Sequence, residues 1–121
     1  MIDFNEKLKT VLENVDGSIA IVFSGLDGIG VANATLAEKF DTAVLDVELA
    51  TMVSSFVKVA GNLQLEKVDE LVFKAGNIIF FIKMVGNEYF IGIALNSDAN
   101  LGRARLEVRK VMPSFEKELY A

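Results

Sequence analysis

The chain has 121 residues, a net charge of −5 and an apolar fraction of 52%, which suits one domain over residues 1–121 and excludes disorder. Acidic balance with no lysine or arginine stripe argues against nucleic acid and anionic membrane surfaces as partners. No stretch has the charge-free length of a spanning helix or the pattern of a secretory leader, so membrane insertion is not expected and the cytoplasm is the expected location.

Residues 1–15 place Ile2, Phe4, Leu8, Val11, Leu12 and Val15 at helical spacing, with charged residues on the other side. Asp3 is the candidate cap, with Glu6 three residues on, and Asp16-Gly17 ends the helix. Residues 18–24 (SIAIVFS) form a strand, Gly25-Leu26-Asp27-Gly28 its turn, and residues 29–34 (IGVANA) the return strand. The small residues Gly30, Ala32 and Ala34 suggest an edge or a close helix contact. The glycine-bracketed Asp27 lacks the lysine and serine or threonine of a phosphate loop, which favours a turn over a phosphate or metal site.

Residues 35–45 read as a connection with a candidate helical turn at 36–40. Asp46 is the expected cap of a helix running to about Leu65. Leu49, Met52, Phe56, Val59 and Leu63 make one apolar stripe, widened by Val53, Val57 and Ala60, and only Glu48 and Lys58 carry charge before Glu66. A helix with so little charged surface is either fully buried or packed on its own copy across a two-fold axis; the chain's size favours the second.

Val68 to Leu95 holds three strand-like runs separated by Gly76-Asn77 and Gly86-Asn87, too closely spaced for helical crossovers, and therefore an antiparallel meander. It is apolar on both faces and needs a layer on each side. Asp69, Glu70 and Lys74 give its first strand the charges of a managed edge. Asn96-Ser97-Asp98 reads as a loop and cap before a final helix from about Asn100, in which Pro113 should kink or interrupt the pattern near Met112.

With no His and no Cys, triads, thiol chemistry and the usual zinc sites are unavailable. Glu66, Asp69 and Glu70 are ordered as a charged loop and strand start rather than a calcium loop. Tyr89 and Tyr120 read as packing residues. Arg103, Arg105 and Arg109 on the last helix read as surface charges in preference to an arginine finger. An enzyme acting alone is disfavoured, and binding or scaffolding remains.

The element order, with Asp16-Gly17-Ser18 leading into residues 19–24, the run Gly25-Leu26-Asp27-Gly28-Ile29-Gly30, the apolar central helix, the meander and Leu101-Gly102, resembles the Roadblock/LC7 family and its bacterial, MglB-like members. The resemblance implies an α/β (α+β) fold, α-β-β-α-β-β-β-α. Its five-stranded antiparallel sheet would run in the order 2-1-5-4-3, with the central helix on one face and both terminal helices on the other. It further implies a homodimer formed by pairing third strands and packing central helices. Val53, Phe56, Val57 and Ala60 would lie at the helix contact. Glu70, Leu71, Val72, Phe73 and Lys74 would lie along the strand seam, their charges meeting partners across the two-fold. The implied partner is a Ras-like small GTPase, regulated without a catalytic residue, cofactor or metal from this chain; Glu48, Ser54, Ser55 and Lys58 are the candidate GTPase-facing residues. A structural adaptor that leaves GTP turnover unchanged, and a small sensory or ligand-binding module, are the alternatives.

Overall fold

The computed structural model describes residues 2–36 and 40–120. Helix α1 (Phe4–Glu13) is followed by strands β1 (Ser18–Gly25) and β2 (Gly30–Thr35) and by helix α2 (Thr42–Asn62). Strands β3 (Glu70–Ala75), β4 (Ile78–Val85) and β5 (Tyr89–Asn96) and helix α3 (Leu101–Tyr120) complete the order. The strands form one antiparallel sheet in the order β2-β1-β5-β4-β3, as the resemblance implied. Strand β1, flanked on both sides, is buried along its whole length.

Strand alternation splits the core into two layers. On one face Ile21, Phe23, Phe81, Ile91, Ile93 and Leu95 pack under α1 and α3, which contribute Leu8, Val11, Leu12, Val108 and Phe115. Phe4, Phe23 and Phe115 form an aromatic knot, with Phe23 and Phe115 centroids 4.7 Å apart. On the other face Ala20, Val22, Ile82, Met84, Phe90 and Ala94 pack under Leu45, Leu49, Ala50 and Val53 of α2. The meander's hairpins turn at Gly76 (φ +60°) and Gly86 (φ +66°), the left-handed conformation that glycine adopts without steric cost. The Tyr120 ring lies against Gly86, leaving no room there for a Cβ.

Several expectations are corrected. Helix α2 starts at Thr42, not at Asp46: Asp41 caps it by accepting from the Ala43 and Val44 amides. Asp46 lies inside the helix, buried, where it accepts from the Ser24 hydroxyl. Of the 35–45 connection, residues 37–39 lie outside the described residues, so the candidate helical turn at 36–40 rests partly on them; Thr42–Leu45 are helical. The last helix is capped by Asn100, whose side chain accepts from the Arg103 amide. It runs unbroken through Pro113. Proline removes one backbone donor, but residue 113 is exposed, as is Arg109 one turn back, whose carbonyl loses that donor, so water can satisfy it.

Candidate functional site

Burial of helix α2 against the sheet falls away along its length. Only Leu45, Asp46, Leu49, Ala50 and Val53 are buried. The same sheet-facing stripe continues through Phe56, Ala60 and Leu63, but there the helix runs beyond cover. Val53 is 0% exposed, whereas Phe56 is 47% and Val57 40% exposed. Val59, Leu63 and Leu65 are exposed as well. Full burial of α2 within one chain is therefore excluded, and its second half presents open apolar surface. A groove of about 380 Å³, lined by Phe56, Val59, Ala60, Leu65, Val68 and Leu71 among others, separates this overhang from the start of β3.

The two edges of the sheet are treated differently. On β2 the Asn33 amide donates to the Asn5 side chain of α1 at 3.0 Å, so α1 blunts that edge. Among the described hydrogen bonds, none reaches the outer edge of β3. Leu71 and Phe73 of β3 are half-buried and Val72 exposed, and Phe73 stacks on Phe80 with centroids 4.8 Å apart.

Of the residues expected at the interface, Phe56, Val57, Ala60, Glu70, Leu71, Val72, Phe73 and Lys74 thus border one open edge. Val53 does not: it is core, packed against the sheet. Of the seam charges, one already has a partner within the chain. Glu70 is paired within its own chain, with Arg105 of α3, whose Nη2 lies 3.0 Å from Oε1 and whose Nε also donates to the carboxylate. The Arg105 guanidinium rests 5.3 Å from the centroid of Phe81. Arg103 is likewise engaged, with Glu107 and the Asn14 carbonyl.

The outward face of α2 is a separate surface. Glu48, Ser54, Ser55 and Lys58 all lie on it, exposed, together with Val44, Val47 and Thr51. The hydroxyls of Thr51 and Ser55 turn back to donate to the carbonyls of Val47 and Thr51, so the outer surface presents mainly small, nearly uncharged groups. A groove of about 430 Å³ runs between this face and the β1–β2 turn, with Asp27 and Gly28 on one bank and Thr51, Ser54, Ser55 and Lys58 on the other. The sequence reading missed Val44 and Val47, which fall in the segment it left as a connection or at the expected helix start. It also missed Asp27 and Gly28 as groove residues, having read them only as a turn.

Asp46 holds this face in place. Its carboxylate lies so close to Gly30 that any Cβ there would collide with it, and Ser24 on β1 donates to it. The small residue expected to admit a helix is thus Gly30. Burial pushes the Asp46 carboxyl above the ordinary carboxylate range, against the opposing pull of the Ser24 hydrogen bond. Among the described residues no cluster of acidic side chains is placed to hold a metal ion, and no helix is long and apolar enough to cross a membrane.

No protein-family model and no curated protein sequence matches this chain. Solved structures do. Myxococcus xanthus MglB superposes with a TM-score of 0.86 at 15% identity, over 95% of this chain and 93% of that one. MglC from Myxococcus xanthus is 27% identical over 97% of this chain and 99% of its own, with a TM-score of 0.69. A Roadblock/LC7 domain from Streptomyces avermitilis covers 99% of this chain and 100% of its own at 16% identity, TM-score 0.81. The chain thus has the fold of the Roadblock/LC7 domains, with MglB among the structures it resembles.

Proposed function

We propose that the chain forms a homodimer through β3 and the overhanging half of α2, and that the dimer regulates a Ras-like small GTPase in the cytoplasm. The observation that carries the dimer is the coincidence of the sheet's uncapped edge with the uncovered end of the α2 stripe. An open strand edge pairs with a second strand, and an exposed apolar stripe beside it needs a second layer. One two-fold axis supplies both. Glu70 supports the reading, because its charge is already neutralised by Arg105 and need not be desolvated unpaired at the seam.

Once that half of α2 is covered, its outward face remains, with Glu48, Ser54, Ser55 and Lys58 and the groove beside Asp27 and Gly28. A nearly uncharged, hydroxyl-rich helix face suits docking on a protein surface, and family likeness points to a small GTPase as the occupant. The reading gives these side chains a docking role and no catalytic one, so the chain acts on the GTPase's own machinery. The test is GTP hydrolysis by a Ras-like small GTPase from the same genome, measured with and without the dimer. The reading expects binding with altered turnover, both weakened by Ser54→Arg. Binding with unchanged turnover would make the chain an adaptor, and no binding would remove the GTPase from the account.

A further inference from the structure

The opposite face of the seam, under α3, carries charge that the dimer and the GTPase face leave unused. Directly opposed residues of an antiparallel pair share a face. Val72 opposes Phe81 and Lys74 opposes Ile79, and both partners lie in the layer under α1 and α3. Glu70 opposes Lys83 on that same face. Helix α3 packs on β4 and reaches β3 through Arg105, while Val72 and Lys74 stay exposed, which leaves an uncovered trough along β3 beside Arg105 and, one turn on along the helix, the exposed Arg109. The trough runs into a groove of about 320 Å³ bordered by Lys67, Asp69, Lys83, Met112 and Glu116.

Charge is segregated here. Lys67, Lys74, Lys83, Arg105 and Arg109 are five of the chain's twelve cationic side chains, whereas Asp69, Glu70 and Glu116 are three of its seventeen carboxylates. The rest of the molecule is strongly acidic. Glu70 is claimed by Arg105, which leaves the half-buried Lys83 with no ion-pair partner among the described residues. A partly desolvated cation beside an apolar floor of Val72 and Met112 calls for an anionic group.

We propose that this trough binds an acidic, apolar-anchored peptide segment of a partner protein. The inference rests on the dimer reading, because pairing β3 strands would join the troughs of two protomers into one basic channel between their α3 helices. The chain's net charge of −5 repels an extended polyanion or a negatively charged bilayer, while a short segment meets only the local positive field.

The experiment is a fluorescence-anisotropy titration of a labelled peptide of glutamates flanking a central leucine, against the intact chain, with light scattering on the same samples. Binding is expected, weakening with salt, roughly tenfold weaker in Arg109→Glu, weaker also in Lys83→Gln, and unchanged in Lys9→Glu on α1. Absence of binding, or binding that ignores Arg109 and Lys83, overturns the trough. So does tighter, Lys83-dependent binding of single-stranded DNA or phosphatidylserine vesicles. A monomeric mass overturns the dimer and the joined channel with it; a dimeric mass without peptide binding overturns the trough alone.

Discussion

Replacing Phe56 by glutamate separates the dimer from the fold. A phenylalanine side chain presents about 200 Å², and with 47% of Phe56 exposed, roughly 90 Å² is free for a partner, or about 2 kcal/mol at 25 cal/mol/Å². The two-fold repeats the contact, so its loss weakens the dimer by about 4 kcal/mol, close to a thousandfold in dissociation constant. A carboxylate in place of the ring adds the cost of burying an unpaired charge. In the monomer that carboxylate reaches water, so Phe56→Glu should keep its circular dichroism and a cooperative melt while light scattering reports half the mass. Val53→Asp should unfold the chain instead, because Val53 is sealed against the sheet. A Phe56→Glu protein that stays dimeric, or a folded Val53→Asp monomer, would refute the division of α2 into a core half and an interface half.

Asp46→Asn should gain stability relative to the parent as pH rises. The raised carboxyl pKa means that the native state keeps its proton longer than the unfolded chain, so the parent loses stability above the unfolded value of 3.8; a pH-independent difference in melting temperature would contradict this. Glu107 behaves oppositely. The Lys110 hydrogen bond, with help from Asn14 and Arg103, holds its carboxyl below 4.5. Its contribution is therefore present above that value and lost as pH falls through the lowered one, and the gap between parent and Glu107→Gln should shrink in acid. Gly30→Ala should cost about 1–3 kcal/mol in denaturant unfolding, because the new methyl meets the Asp46 carboxylate that Ser24 holds in place. Pro113→Ala should raise stability by up to about 3 kcal/mol, since it restores a helical donor in a helix that is already continuous. An unchanged or lower midpoint would show that proline has a role in α3 beyond that of a tolerated break.

The meander was legible because its signals are local: alternation and two glycine turns mark Glu70–Asn96. Strand order was reached only through family resemblance, since nothing local says that β1 sits between β2 and β5. Along α2 the periodicity put Val53 and Phe56 on one stripe, and the helix does carry that stripe. Where the sheet beneath it ends is a tertiary fact, and it decides that one is core and the other surface. Asp46 was misread as a cap because an aspartate before an apolar run has the same local signature whether its oxygen meets a helix amide or, as here, a serine on another strand. The Glu70–Arg105 pair joins residues 35 positions apart, beyond the reach of any local pattern. Of the candidate site, the open residues of α2 and the charged strand were legible. The groove beside Asp27 and Gly28 was not, because it exists only where the β1–β2 turn meets the helix.

A dimer built on β3 makes that strand a paired one in solution, and hydrogen exchange reads this directly. The β3 amides that do not bond to β4 should exchange slowly in the wild-type dimer and quickly in Phe56→Glu, while those of β1 stay protected in both. Rapid exchange at those amides in the wild-type protein, or protection that survives the Phe56 substitution, would contradict it.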